Sequence, residues 1–275
     1  MNLKFLTSLL RSIFFFLFLS SHSYSGEIIK FASLDKDKPQ NVSGELFLPL
    51  EIKGRVPAMI VVHGTGGIDD RTKYFAENLP KFGIAVFIVD FKSGIFSSPN
   101  DRPPVDTFLP MSFAALNVLR NNPNIDPKKI GIMGFSLGGA LTTISSLQEN
   151  KNKWIGKDKE GFKVHVAYYP VCRYFLSKLE SSSQIKSPIK VYWGTKDSYG
   201  DGEHCPKLKD RLSTISKSEV ELESFEDGYH GFDGTVNVSF NDPAAIGGRA
   251  TVMGNVVFAD KARKSSIDFI IKHLK

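Results

Sequence analysis

At 275 residues, with 41% hydrophobic and 23% charged residues, the chain has ordinary globular composition and apolar material for one large core, which excludes a disordered or low-complexity protein. The formal charge of +6 is mild and is not gathered into a basic run with interleaved aromatics, which argues against nucleic acid as a partner.

The chain opens with Lys4 and Arg11, an apolar run over residues 13–19, and Ser23-Tyr24-Ser25, where small residues flank one position. This is the pattern of a secretory signal peptide cleaved near Ser25. The apolar run is shorter than the about 20 residues a spanning helix needs, and no cysteine follows the cleavage site to take a lipid. We therefore expect residues 1–25 to be removed, with no stable membrane anchor, leaving one secreted or periplasmic domain over 26–275.

Residues 27–34 and 41–48 predict two strands at an antiparallel edge, parted by the turn-like cluster Asp35-Lys36-Asp37-Lys38-Pro39. From Ala58 onward, short apolar runs at 58–62, 84–89, 130–133, 164–168 and 189–193 have the continuous character of strands buried on both faces. Amphipathic stretches between and after them predict helices over 72–82, 105–121, 137–148, 205–216 and 259–274. Such alternation implies an α/β fold with a mostly parallel central sheet and helices on both faces. Residues 220–225 add a final strand, while 91–104 and 231–254, punctuated by glycine and proline, are expected to be loops.

The strand ending at Met133 runs into Gly134-Phe135-Ser136-Leu137-Gly138-Gly139-Ala140, which opens a helix. This is Gly-x-Ser-x-Gly in its required strand–turn–helix context, and it marks Ser136 as a candidate nucleophile. The turn brings strand and helix so close that residues two before and two after the serine must lack a Cβ. The helix start places the Leu137 N–H where it can stabilise an oxyanion. His63-Gly64-Thr65-Gly66-Gly67 ends an earlier strand and supplies the second oxyanion donor, Thr65 N–H or alternatively that of Gly66.

A serine hydroxyl needs a histidine to take its proton. Of six histidines, His22 leaves with the signal peptide, His63 belongs to the oxyanion loop, His165 lies in a strand and His273 in the last helix. His204 and His230 remain on expected loops, and His230, just after the strand at 220–225, is the better base. The third member should be a carboxylate between serine and histidine, to hold the imidazole tautomer. Asp197, directly after the strand at 189–193, is favoured, with Asp201 the alternative.

On these residues the chain resembles the dienelactone hydrolase family of the α/β-hydrolase superfamily, over most of the mature sequence. The likeness rests on His63-Gly64-Thr65-Gly66-Gly67, the elbow at Ser136, Tyr168-Tyr169-Pro170, Gly194-Thr195-Lys196-Asp197 and Tyr229-His230-Gly231-Phe232-Asp233. Founding members carry a cysteine nucleophile where Ser136 stands here. The resemblance implies an α/β-hydrolase fold and an esterase or lactonase of small-molecule substrates working without a cofactor.

Arg173, just past Tyr168-Tyr169-Pro170, is a candidate for meeting an acidic substrate group, or else a surface arginine. Cys172 and Cys205, the two cysteines of the chain, are expected to pair across neighbouring strands in an oxidising compartment. Other readings are a peptidase of the same fold, a catalytically dead binding protein, and a metal site from Asp201, Glu203, His204 and Cys205. That cluster lacks recognisable zinc spacing, so no metal is expected.

Overall fold

The computed structural model describes residues 26–91 and 103–275. The expected signal peptide lies outside the described residues, as do residues 92–102 of the first expected loop.

An eight-stranded sheet organises the chain. Its strands are β1 (Glu27–Ala32), β2 (Asn41–Phe47), β3 (Val56–Val62), β4 (Ala85–Asp90), β5 (Ile125–Phe135), β6 (His165–Tyr168), β7 (Ile189–Gly194) and β8 (Val220–Phe225), in spatial order β1-β2-β4-β3-β5-β6-β7-β8. β1 and β2 pair antiparallel, β2 joins β4 antiparallel, and every later pairing is parallel. The expected antiparallel edge and parallel body are both present.

Strand alternation sends neighbouring side chains to opposite faces, and both faces are covered. Ala58, Ile60 and Val62 of β3, with Ile130 and Ile132 of β5, join one core. Helices α2 (Leu109–Asn121), α3 (Leu137–Ser145), α4 (Gln148–Ile155), α5 (Cys172–Lys178) and α6 (Asp201–Ile215) pack there. Met59 and Val61, with Met133 and Phe135, join the other core beneath α1 (Asp70–Asn78) and α7 (Val256–Leu274). This two-sided burial is why the central strands are apolar at successive positions.

Several elements differ from expectation. The helix expected over 137–148 is two helices, broken at Leu147, whose extended backbone (ψ 129°) forms a bridge with Ile185. α6 begins at Asp201, one turn before Cys205, because Gly200 in the left-handed region (φ 89°) turns the chain into the helix. Pro206 sits near its start, where the missing N–H costs at most one helical bond. The short α5 was not expected. The largest difference is at 231–254: part of it is a hairpin of β9 (Asn237–Asn241) and β10 (Arg249–Met253), whose polar alternate positions and Gly247-Gly248 give it the composition of a loop. None of the helices among the described residues is long and apolar enough to cross a membrane.

β3 has β4 on one side and β5 on the other, so the strand order reverses there. In open α/β sheets a crevice forms at the carboxyl ends of strands flanking such a reversal, which is where ligands bind.

Candidate active site

Ser136 follows the last residue of β5 and precedes the first of α3, with φ 53° and ψ −112°. A non-glycine residue held there costs on the order of 1–3 kcal/mol, and the surrounding backbone enforces it. A Cβ on Gly134 would stand 2.3 Å from the Gly138 carbonyl oxygen, and one on Gly138 would stand 2.5 Å from that of Val62. Both elbow glycines are thus demanded by backbone meeting backbone. The half-buried Ser136 presents its hydroxyl at the carboxyl edge.

The His63 loop lies directly beside it: a Cβ on Gly64 would be 3.4 Å from the Ser136 Cβ. The Gly67 N–H closes this turn on the Gly64 carbonyl at 3.0 Å, leaving Thr65 and Gly66 on the cavity wall. His63 is buried beneath, and the Phe91 N–H donates to its Nε2 at 3.1 Å. An accepting Nε2 makes Nδ1 the protonated nitrogen, which donates to the Gly64 carbonyl at 2.6 Å. His63 therefore holds the loop. Leu137 N–H belongs to the first turn of α3, where a helix offers its amides no carbonyl, and Leu137 also lines the cavity.

His230 Nε2 is 2.9 Å from Ser136 Oγ, and its Nδ1 is 2.7 Å from Asp197 Oδ2. Asp197 and His230 are buried. A carboxylate only accepts, so Nδ1 carries the proton and Nε2 is left free to accept from the serine hydroxyl. The Tyr199 N–H donates to Asp197 Oδ1 at 2.7 Å, which fixes the carboxylate's rotation. The Tyr169 and Tyr199 rings pack on the imidazole, with centroids 4.7 and 4.5 Å away.

Asp201, the alternative acid, faces elsewhere. Its Oδ1 accepts from Cys172 N–H at 2.5 Å and its Oδ2 from Val171 N–H at 3.1 Å. Val171 has φ 54°, an unfavourable conformation for a β-branched residue, and Asp201 holds that turn in place. Burial, then the charge of nearby Asp197, pushes the Asp201 carboxyl up to about 7.

Cys172 and Cys205 are joined as a disulfide, with Cα atoms 5.1 Å apart, which ties α5 to α6. Cys172, Asp201 and Cys205 lie together, but their sulfurs are bonded to each other and so are not thiolate ligands. Glu203 is exposed and pairs with Lys207, while His204, in helix α6 and not on a loop, turns its Nδ1 to the Gly200 carbonyl at 2.8 Å. Arg173 lines the cavity and donates through Nη2 to the Ala244 carbonyl.

One network went unread in the sequence. Arg71, in the first turn of α1, pairs with Asp69 and donates through Nη1 to Tyr169 Oη at 3.0 Å. Tyr169 in turn donates to buried Asp233 Oδ1 at 2.5 Å. Burial alone would lower the Arg71 pKa, but Tyr169, Asp69 and Asp233 outweigh it and hold it above its ordinary value. Burial raises Tyr169 well above the usual phenol range, so it remains a neutral donor. The signal lay in Asp69-Asp70-Arg71-Thr72, where Asp69 caps α1 through the Arg71 N–H at 3.0 Å and Thr72 reaches back to it. Its partners, 98 residues apart in the case of Tyr169, were not legible.

These groups surround a cavity of about 750 Å³ at the carboxyl edge, walled mainly by apolar side chains. That is the size and character of a small-molecule site. A hydroxyl hydrogen-bonded to an imidazole, itself held by a buried carboxylate and facing two amide-bearing turns, has what acyl transfer requires.

Known proteins agree with this architecture. The model of the dienelactone hydrolase family matches residues 42–252. A probable 2-oxo-3-(5-oxofuran-2-ylidene)propanoate lactonase from Bradyrhizobium sp. is 24% identical over 198 residues, covering 66% of this chain and 75% of its own. Esterase FrsA from Vibrio vulnificus (strain YJ016) is 30% identical over 131 residues, which is 42% of this chain but 31% of that longer protein. Among solved structures, a dienelactone hydrolase-like promiscuous phosphotriesterase from metagenomic libraries superposes with a TM-score of 0.64 at 16% identity, over 91% of this chain and 100% of its own. The fold is that of the α/β-hydrolases.

Proposed function

The chain belongs to the dienelactone hydrolase family, and from that premise we propose that it is a serine hydrolase cleaving carboxylic ester or lactone bonds through an acyl-enzyme. The observation that carries this reading is the unbroken relay from Ser136 Oγ to His230 Nε2 at 2.9 Å and from His230 Nδ1 to Asp197 Oδ2 at 2.7 Å. Relatives named as a lactonase and an esterase support the substrate class.

In this mechanism Ser136 Oγ attacks the substrate carbonyl as its proton passes to His230 Nε2. Asp197 stabilises the imidazolium by accepting from Nδ1. The tetrahedral oxyanion takes hydrogen bonds from the Leu137 and Thr65 N–H groups, each worth about 3 kcal/mol in comparable sites. The imidazolium protonates the leaving oxygen, a water attacks the acyl-enzyme with His230 as base, and the acid is released. Asp201 takes no part, since its two oxygens are committed to the Val171 and Cys172 amides. The proposal includes export after removal of residues 1–25, which the Cys172–Cys205 bridge supports because disulfides persist in oxidising compartments.

A fluorophosphonate probe tests the reading. We expect a single covalent adduct, mapped by peptide mass spectrometry to the peptide containing Ser136, and hydrolysis of p-nitrophenyl acetate that the probe abolishes. An unlabelled, inert protein would overturn it.

A further inference from the structure

The β9–β10 hairpin extends the site beyond its catalytic floor. Resting on the serine hydrolase reading, we infer that this hairpin is the binding wall for an apolar portion of the substrate, and that medium-chain esters or lactones are preferred to acetyl-sized ones.

The register carries the argument. Residues two apart on a strand share a face, so Val236, Val238 and Phe240 point the same way. Cross-strand pairing sets Val238 against Val252 and Phe240 against Ala250, so Val252 shares that face. Val236, Val238, Phe240 and Val252 all line the cavity that holds Ser136 and His230, while the intervening Asn237, Ser239 and Asn241 do not. The hairpin is thus amphipathic, with its apolar face toward the nucleophile. Val238 and Phe240 stay 45% and 38% exposed along that wall, apolar surface that an apolar ligand would cover.

A two-stranded ribbon alone is marginal in water, and this one is tied to the catalytic loops. The Thr251 N–H donates to Ser198 Oγ at 3.0 Å, Ile246 N–H to the Ser198 carbonyl at 2.8 Å, and Met253 N–H to the His230 carbonyl at 3.2 Å. Tyr199 Oη donates to Asp242 Oδ2 at 2.6 Å. Because Ser198 follows Asp197, the wall stands at a set distance from both acid and base.

Several charged groups of the cavity are already engaged within the protein. Arg71 is engaged by Asp69 and Tyr169, Arg173 by the Ala244 carbonyl, and Asp242 by Tyr199. The apolar wall is the continuous apolar surface these groups leave facing Ser136 among the described residues.

The test is kcat/KM for p-nitrophenyl acetate, butyrate, hexanoate and octanoate, with fluorophosphonate labelling of every sample. We expect each buried methylene to raise kcat/KM about threefold, and the octanoate-to-acetate ratio to fall about tenfold or more in Val238→Ser and Phe240→Ser. A labelled enzyme with a flat chain-length series overturns the wall alone, as does a ratio unchanged in both variants. Ser136 unlabelled and no turnover on any ester overturns the hydrolase reading and this inference with it.

Discussion

At the elbow, Ser136 is held by backbone against backbone: Gly134 meets Gly138, and Gly138 meets the Val62 carbonyl, with no side chain between. Across the cavity, Asp197 and His230 are held by side chains reaching over long stretches of sequence. Examples are the hydrogen bond between the two, 33 residues apart, and the ring contacts of Tyr169 and Tyr199 with His230. The contrast teaches that the backbone at Ser136 is set by close approach of main chain within the elbow and against the neighbouring strand, whereas the Ser136–His230–Asp197 contacts need side chains from three separate strand ends brought into register.

The sharpest probe of the first region is Ser136→Ala, which removes one hydroxyl and leaves both glycines. Turnover should fall about a millionfold, as for other serine hydrolases stripped of their nucleophile, with an unchanged circular dichroism spectrum; persistent turnover would place the chemistry elsewhere. In the second region, Asp197→Asn should lower kcat by about ten thousandfold, because the amide presents the wrong partner to His230 Nδ1. Asp201→Asn should keep most of its turnover. If Asp201→Asn proved the crippled variant, the relay drawn here would be the wrong one.

Replacing both Cys172 and Cys205 by serine opens a loop whose ends are 33 residues apart, and the chain-entropy model gives a loss of about 4 kcal/mol. Urea denaturation measures it, and alkylation of the denatured, unreduced protein should add no label. No comparable stability loss is expected from Ser136→Ala, which keeps the two regions distinct. A pH dependence of stability is expected as well. Asp201, raised to about 7 by burial and the charge of Asp197, keeps its proton in the folded state where the unfolded chain, near 3.8, has lost it. The folded state therefore binds more protons over this window, and stability should decline as pH rises from 3.8 to about 7. Asp201→Asn should flatten that slope in urea titrations; a slope identical to that of the parent would mean Asp201 is ionised throughout.

Much of this was written locally. The apolar runs announced a two-sided sheet because a strand covered on both faces has no polar position, and Gly134-Phe135-Ser136-Leu137-Gly138 announced the elbow because Gly134 answers a clash within the turn and Gly138 one with the adjoining strand. The order Ser136, Asp197, His230 followed from the strand ends, since each side chain lies just past a strand at the same edge. The hairpin was illegible because Val238 and Phe240 face a cavity and not a core, so their neighbours Asn237, Ser239 and Asn241 read as loop.

By itself, then, the sequence determined the sheet, the elbow and the family likeness, all set by steric and burial rules that operate over a few residues. Only the tertiary structure set Asp197, and not Asp201, against His230. The two stand four positions apart on one turn, and which of them meets His230, 33 residues on, depends on where Gly200 starts α6 and on which carboxylate the Val171 and Cys172 amides claim. Tertiary structure likewise built the Arg71–Tyr169–Asp233 network and stood an amphipathic ribbon over Ser136. Hydrogen bonds between distant residues leave no periodic trace in the chain, because each partner is chosen by its place in space.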